Sequence, residues 1–252
     1  MMRGAVIKIL LLDIETSPNT AYVWGLWGEN IPLARLIDSS EVMCWSAKWL
    51  GEKEMMFDSY HLSSNKNMLK RIHALLSEAD AVVTYNGNRF DIPVLNKEFL
   101  LYGLKPPAPY KKIDLYTTTK RQFRFVSNKL DYICEQLGLG NKIETDFKLW
   151  VDCMNHDAGA WEKMEGYNRH DVILLEKLYM LLLPWVENHP NHGMYADGKL
   201  VCPNCGGDHI QKRGFSFAKA LKYIRFQCQG CGRWFKSSKA VDVDKKPKFG
   251  KI

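Results

Sequence analysis

The sequence predicts an α/β fold, a sheet flanked by helices, followed by a small cysteine-bound appendage. Three observations carry that reading. Residues 7–12 are an almost unbroken apolar run, the pattern of a strand buried on both faces. Further on, short apolar runs alternate with segments of helical period. Near the end, Cys202-x-x-Cys205 and Cys228-x-x-Cys231 form two matching pairs.

A chain of 252 residues allows one sizeable core with a small domain beside it. Its composition is that of a soluble globular protein without low-complexity tracts. The apolar start resembles a secretory signal, but Asp13 and Glu15 interrupt it and no small-residue cleavage site follows. No other uncharged stretch is long enough to cross a bilayer, so the expectation is a cytoplasmic protein with no membrane partner. From residue 199 onward, 13 Lys and Arg stand against 3 Asp, a balance of +10. The whole chain is +7, which leaves −3 on the first 198 residues. A basic end on a mildly acidic body points to a polyanionic partner. The single cysteines Cys44, Cys134 and Cys153 read as small core residues. The overall usage is that of a reducing compartment with one metal site.

The first strand delivers Asp13 and Glu15 at its far end. Side chains alternate along a strand, so both carboxylates point to one side. Like charges held that close repel, and hard divalent cations such as magnesium relieve the repulsion. Ser17-Pro18-Asn19 is a turn. Trp24 and Trp27 come next and are expected as half-buried packing rather than stacking surfaces for bases. Residues 42–49 read as a second strand, Gly51-Glu52 as a turn, and 53–60 as a third strand.

Helical period runs over residues 67–77 through Met68, Leu69, Ile72, Leu75 and Leu76. Residues 81–85 are another buried strand, leading through Asn86-Gly87-Asn88-Arg89-Phe90-Asp91 into a helix over about 92–102. Asp91 is placed as that helix's N-cap, with Pro93 just inside, a role compatible with holding a cation. A short strand over 111–115 contains Asp114. Lys120, Arg121, Phe123, Arg124 and Phe125 then interleave cations with rings, which suits a strand of nucleic acid. A short helix over 130–137 is ended by Gly138 and Gly140. The last large element spans about 160–187, with a break at or before Pro184. On it Tyr167 and Asp171, four apart, share a face, while His170 points elsewhere.

Taken in order, these acids resemble the three motifs of the DEDD exonuclease superfamily, over roughly residues 5–187. A strand ending in Asp-x-Glu matches Leu12-Asp13-Ile14-Glu15-Thr16. An acid after an Asn and an aromatic matches Tyr85-Asn86-Gly87-Asn88-Arg89-Phe90-Asp91. Tyr-x-x-x-Asp, the mark of the tyrosine (DEDDy) branch, matches Tyr167 to Asp171. The histidine branch would need His five residues before that Asp, where this chain has Gly166.

The resemblance implies a ribonuclease H-like mixed sheet flanked by helices and a 3′→5′ exonuclease using two magnesium or manganese ions. It implies Asp13, Glu15 and Asp171 on the first ion, Asp13 also on the second, and Asp91 acting chiefly through bound water. Tyr167 would orient the attacking water, with acceptance of its proton as the alternative role, Asn86 and Phe90 would contact nucleic acid, and nucleoside 5′-monophosphates would be released. Asp114 and Asp152 fall on no motif and are left out. Single-stranded DNA is favoured over RNA, and a separate polymerase or replication protein is a candidate partner. The alternatives are a ribonuclease H-type endonuclease, an RNA-directed exonuclease, and a non-catalytic nucleic-acid-binding protein.

In the appendage, thiolates two residues apart reach one ion, and the glycine after each pair lets the backbone turn toward sulfur. Four soft ligands favour one zinc ion in a closed structural site. The segment looks like a zinc ribbon over 199–238, joined by a linker over 189–198 to a domain over 1–188, and followed by a basic tail over 239–252. Hairpin strands are expected at Lys212-Arg213-Gly214-Phe215 and Lys222-Tyr223-Ile224-Arg225-Phe226. Nucleic-acid binding through Lys212, Arg213, Arg225 and Arg233 is favoured over docking of a protein.

Overall fold

A computed structural model describes residues 7–218 and 221–241. The chain divides into two compact units, one of Lys8–Tyr179 and one from Met180 on. The first unit opens with strands β1 (Ile9–Thr16), β2 (Thr20–Ala21), β3 (Leu36–Asp38), β4 (Val42–Trp49) and β5 (Met56–Ser59). Helix α1 (Asn65–Glu78), strand β6 (Ala81–Thr84), helix α2 (Asp91–Leu101) and strand β7 (Lys111–Asp114) follow. Helices α3 (Leu115–Gln122), α4 (Leu130–Gln136), α5 (Phe147–Met154) and α6 (Ala158–Leu182) complete it, the end of α6 running into the second unit.

One mixed sheet has the order β5-β4-β1-β6-β7. β4 is antiparallel to β1 and β5, and β6 is parallel to β1 and β7. With strands on both sides and cover on both faces, β1 is apolar along most of its length. Leu10, Leu12 and Ile14 pack on one side with Trp45, Ala47 and the buried stripe of α1, namely Met68, Leu69, Ile72 and Leu76. Leu95 and Phe99 of α2 join the same cluster. On the other side Met43 and Cys44 meet Leu149 and Cys153 of α5 and Ala160, Trp161, Met164 and Tyr167 of α6. Glu15 is paired across from Cys44 and Asp13 across from Ser46, so both acids belong to this second side.

Several expectations need correction. Trp24 and Trp27 are not packing residues: they are 90% and 89% exposed, on a segment that also exposes Tyr22, Leu26 and Leu33. The third strand is shorter than expected, at Met56–Ser59. Asp91 is the first residue of α2 rather than its cap, a place taken by Phe90 without a side-chain bond. The strand ending at Asp114 turns at once into α3, so Lys120 and Arg121 lie in the last turn of a helix. The periodicity does not announce α5. The break expected at or before Pro184 is present: the long helix stops at Leu182, and Pro184 lies in the 3₁₀ turn after it.

In the second unit β8 (Ile210–Ala218), β9 (Leu221–Cys228) and β10 (Trp234–Lys236) make an antiparallel sheet of order β10-β9-β8. His192–Tyr195 form a 3₁₀ turn ahead of it. The basic tail beyond Val241 lies outside the described residues. Among the described residues no helix is long and apolar enough to cross a membrane.

Candidate active site

Three acids converge from two elements. β1 presents Asp13 and Glu15, and α6 presents Asp171, with one carboxylate oxygen from each lying within 4.8 Å of the others. Asp91 stands outside this trio. Its Oδ1 accepts the backbone N–H of Ile14 at 3.3 Å, which ties the head of α2 to β1 between the two acids. The turn leading to Asp91 is tightly specified. Asn86 has φ of 65°, a left-handed conformation that Asn tolerates. A Cβ on Gly87 would sit 2.3 Å from the Thr84 hydroxyl, so only glycine fits. Asp114 accepts the N–H groups of Asn86 (2.9 Å), Asn88 (3.2 Å) and Thr117 (3.3 Å). Asp114 thereby locks the turn.

Two neighbours are absent from the sequence reading. Asn168 is fully buried and its Nδ2 donates to Asp13 Oδ2 at 2.7 Å. Its spacing of three from Asp171 on a helix is the signal that could have found it. Lys142, from the loop before α5, donates to Asp171 Oδ2 at 2.5 Å and lies 3.5 Å from the Tyr167 hydroxyl, over that ring. No local pattern marks it. Tyr167 is buried, and Trp150 meets its ring edge-on. His170 Nε2 meets the Asn141 carbonyl instead of Asp171.

The charge balance is unfavourable without a cation. Burial, then Asp91 and Asp171, hold the Asp13 carboxyl well above its ordinary range. Burial and Asp171 push Glu15 up to about 8, and burial pushes Asp91 up to about 7. Asp171 is raised by burial, with Lys142 opposing. Burial works to lower the Lys142 ammonium, yet Asp171 outweighs it and the net shift is upward. A divalent cation suits this donor set: three hard oxygens converge, and Asp171 Oδ1 is buried with no hydrogen-bond partner.

A pH dependence follows. Carboxyls whose folded values exceed the ordinary 3.8 and 4.5 bind protons more tightly when folded, so their contribution to stability is present below about pH 4. It is lost as pH rises through about 7 and about 8. Cation-free protein is therefore expected to melt at progressively lower temperature between about pH 5 and about pH 8, and magnesium is expected to reverse the fall. Calorimetric melts with and without magnesium check this, and a flat profile in both would contradict it.

Next to Glu15 in the chain, at Thr16, a cleft of about 410 Å³ begins, lined also by Ser17, Pro18, Thr145, Asp146, Phe147 and Trp150. A smaller one of about 190 Å³ gathers Asn86, Lys120 and Arg121, three residues singled out from the sequence, with Arg89. Phe90 is 42% exposed at the head of α2, and Arg124 is exposed beyond α3. Lys212, Arg213 and Arg225 are exposed on the second unit, whereas Arg233 turns inward and donates to the Pro184 carbonyl at 2.6 Å.

The four cysteines of the second unit also converge, their Sγ atoms all within 4.8 Å of one another. Cys202–Cys231 and Cys205–Cys228 each stand at 3.6 Å, close to the edge of about 3.8 Å that a tetrahedron with Zn–S near 2.3 Å requires. Gly206 and Gly232 have φ of 72° and 82°, the left-handed turn expected after each pair.

Comparison with known proteins agrees with this fold. A family model described as RNase_H superfamily matches residues 10–183. Among solved structures, the family B DNA polymerase from the hyperthermophilic archaeon Pyrobaculum calidifontis is similar, with TM-score 0.52 and 18% identity. The match covers 71% of this chain and 25% of that polymerase, so the chain spans about a quarter of its length and the likeness concerns fold. No curated protein matches the chain.

Proposed function

The chain belongs to the RNase H superfamily, and from that premise we propose that it is a cation-dependent 3′→5′ exonuclease of the DEDD type, tyrosine branch. The observation that carries the proposal is the convergence of Asp13, Glu15 and Asp171 oxygens within 4.8 Å, with Tyr167 one helical turn from Asp171. These three acids would hold one divalent ion, and Asp13 with Asp91 a second. Magnesium or manganese bound there supplies neutralisation of phosphate charge and activation of water.

The chain's own groups do the rest. Asn168 fixes the Asp13 carboxylate, and Ile14 N–H fixes Asp91. Burial and the surrounding acids hold the Tyr167 phenol above its ordinary range, so it stays protonated at neutral pH and orients water rather than accepting its proton. Lys142, beside both Asp171 and the phenol, offers a positive charge to the phosphate. Water attacks phosphorus and gives up a proton to solvent, the bond to the 3′ oxygen of the next nucleotide breaks, and that oxygen takes a proton from solvent, so that one water is consumed for each bond cut. A nucleoside 5′-monophosphate leaves and the strand keeps a 3′ hydroxyl. The cleft beside Glu15 gives the terminal nucleotide a place, with the exposed ring of Phe147 at its edge.

In this reading residues 1–188 are the nuclease domain, 189–198 a linker, 199–238 a zinc ribbon and 239–252 a basic tail. The substrate is single-stranded DNA, and a separate polymerase is the partner for which the enzyme would remove mispaired ends. The test uses 5′-labelled single strands of DNA and RNA and a circular strand, in magnesium or manganese. A ladder shortening from the 3′ end with the circle intact is expected. Internal cuts in the circle would replace the proposal with an endonuclease, and intact strands throughout would end it.

Tyr167→Phe removes the hydroxyl and keeps the ring against Trp150. Misplacing the water is expected to lower the rate by about 10- to 100-fold. Because the phenol does not titrate near neutrality, the variant's pH profile should keep the shape of the parent's, as rate measurements across pH would check.

A further inference from the structure

We propose that one face of the three-stranded sheet in the second unit is a binding platform for unpaired nucleic acid, built from Trp234, Arg225, Lys236 and Tyr223. This rests on the nucleic-acid reading of the chain but not on hydrolysis. Directly paired residues of antiparallel strands share a face. Trp234 pairs with Gln227 and Lys236 with Arg225, while Tyr223, two residues further along β9, pairs with Ser216. The face thus reads ring, cation pair, ring, over about 13 Å, four residues of extended chain.

Each ring has a cation beside it. The Arg225 guanidinium is 5.1 Å from the Trp234 ring centre, and the Lys236 ammonium is 4.4 Å from that of Tyr223. Trp234 is 48% exposed and both cations are exposed, Arg225 donating its Nε to the Arg213 carbonyl at 3.0 Å and keeping its terminal nitrogens for a ligand. On the opposite face Phe226 and Phe235 stack on each other at 5.4 Å, while Phe215, 37% exposed, has the Lys222 ammonium 3.8 Å from its ring centre and Phe217 is 72% exposed.

Charge selects the occupant. Residues 199–241 contain nine Lys and Arg and one acid, Asp208. A polyanion is therefore the matching partner. The rings add a second requirement, since a base must be unstacked to lie on them. In a duplex the bases are already stacked, and only the two cations would find partners. A single strand satisfies both demands.

The experiment uses the full chain carrying Asp13→Ala, so that strands stay intact, and a 5′-fluorescein oligothymidine read by anisotropy. Trp234→Ala and Tyr223→Ala are each expected to weaken binding by about 5- to 150-fold. Arg225→Gln and Lys236→Gln are each expected to lower the slope of log affinity against log salt by about 0.7. Zinc content, measured on every variant, identifies any that have lost the fold, and Trp234→Tyr, which keeps a ring, is expected to bind nearly as the parent does. Unchanged affinity in all four variants with zinc retained would overturn the proposal. So would a reduced salt slope without any effect of the rings, or stronger displacement by polyglutamate than by oligothymidine. Hydrolysis takes no part in the readout, so an inactive parent enzyme would leave this result standing.

Discussion

Asp13→Ala is expected to reduce release of mononucleotides by about 1,000-fold or more. Asp13 occupies the middle of the acid site: Glu15 and Asp171 lie within 4.8 Å, and Asp91 and Asp171 are the neighbours that act most strongly on its carboxyl. In the proposed mechanism it is the one acid shared by both cations, so its loss weakens both. Cation stabilisation of a transferring phosphate is worth several kcal/mol, and each 1.36 kcal/mol is about tenfold in rate. Stability should move the other way. A carboxyl raised by burial and by three neighbouring acids opposes folding at neutral pH, so the cation-free variant should melt no lower than its parent. Gel ladders in magnesium together with calorimetric melts check both halves. Activity within about tenfold of the parent, in a folded variant, would remove Asp13 from the reaction.

Cys228→Ser is expected to unfold the second unit's sheet while leaving the first unit intact. Zinc held by four thiolates contributes on the order of 10 kcal/mol or more to folding. The stacked pair Phe226 and Phe235 is too little apolar surface to replace that contribution. Hydroxyl oxygen in place of one thiolate leaves three ligands for an ion that needs four. One zinc per chain in the parent and none in the variant would be seen by elemental analysis. Amide exchange would show protection lost across β8, β9 and β10 and retained in β1, β4 and β6. Full protection of β8 to β10 without zinc would show that the four thiols hold the sheet unaided.

Much of the first unit's sheet is legible in the sequence because its strands are short, apolar and separated by turn residues. The acid pair on β1 follows from alternation alone, and Tyr167 with Asp171 from helical spacing. Legibility fails where tertiary contacts override local pattern. α3 contains Thr117, Thr118 and Thr119, poor helix formers, and is started by the Asp114 cap that also holds the Asn86 turn. α5 has only eight residues, too few for its period to stand out from the loop before it. Trp24 and Trp27 are misplaced by the sequence reading because large apolar residues are usually inside, and no single-sequence signal marks an exposed pair. Lys142 reaches Asp171 across 29 positions, and nothing near Lys142 announces that contact. Arg233 shows the same limit in reverse, a cation in a basic stretch that the fold commits to one carbonyl.

From Leu12 to Glu15, β1 divides its two sides between the core and the acids, and that division has a genetic consequence. Leu10, Leu12 and Ile14 face the packed layer, while Asp13 and Glu15 face the site. A substitution scan along this strand should therefore produce two interleaved classes of defect. Polar replacements at the three apolar positions would give little soluble protein, and replacement of either acid would give abundant, well-folded, inert protein. An inert but folded variant that still occupies strand ends would act as a dominant inhibitor, whereas an unfolded one would be merely null. Neighbouring codons of one short segment would thus segregate into opposite inheritance patterns, because the pleat turns successive side chains to opposite sides.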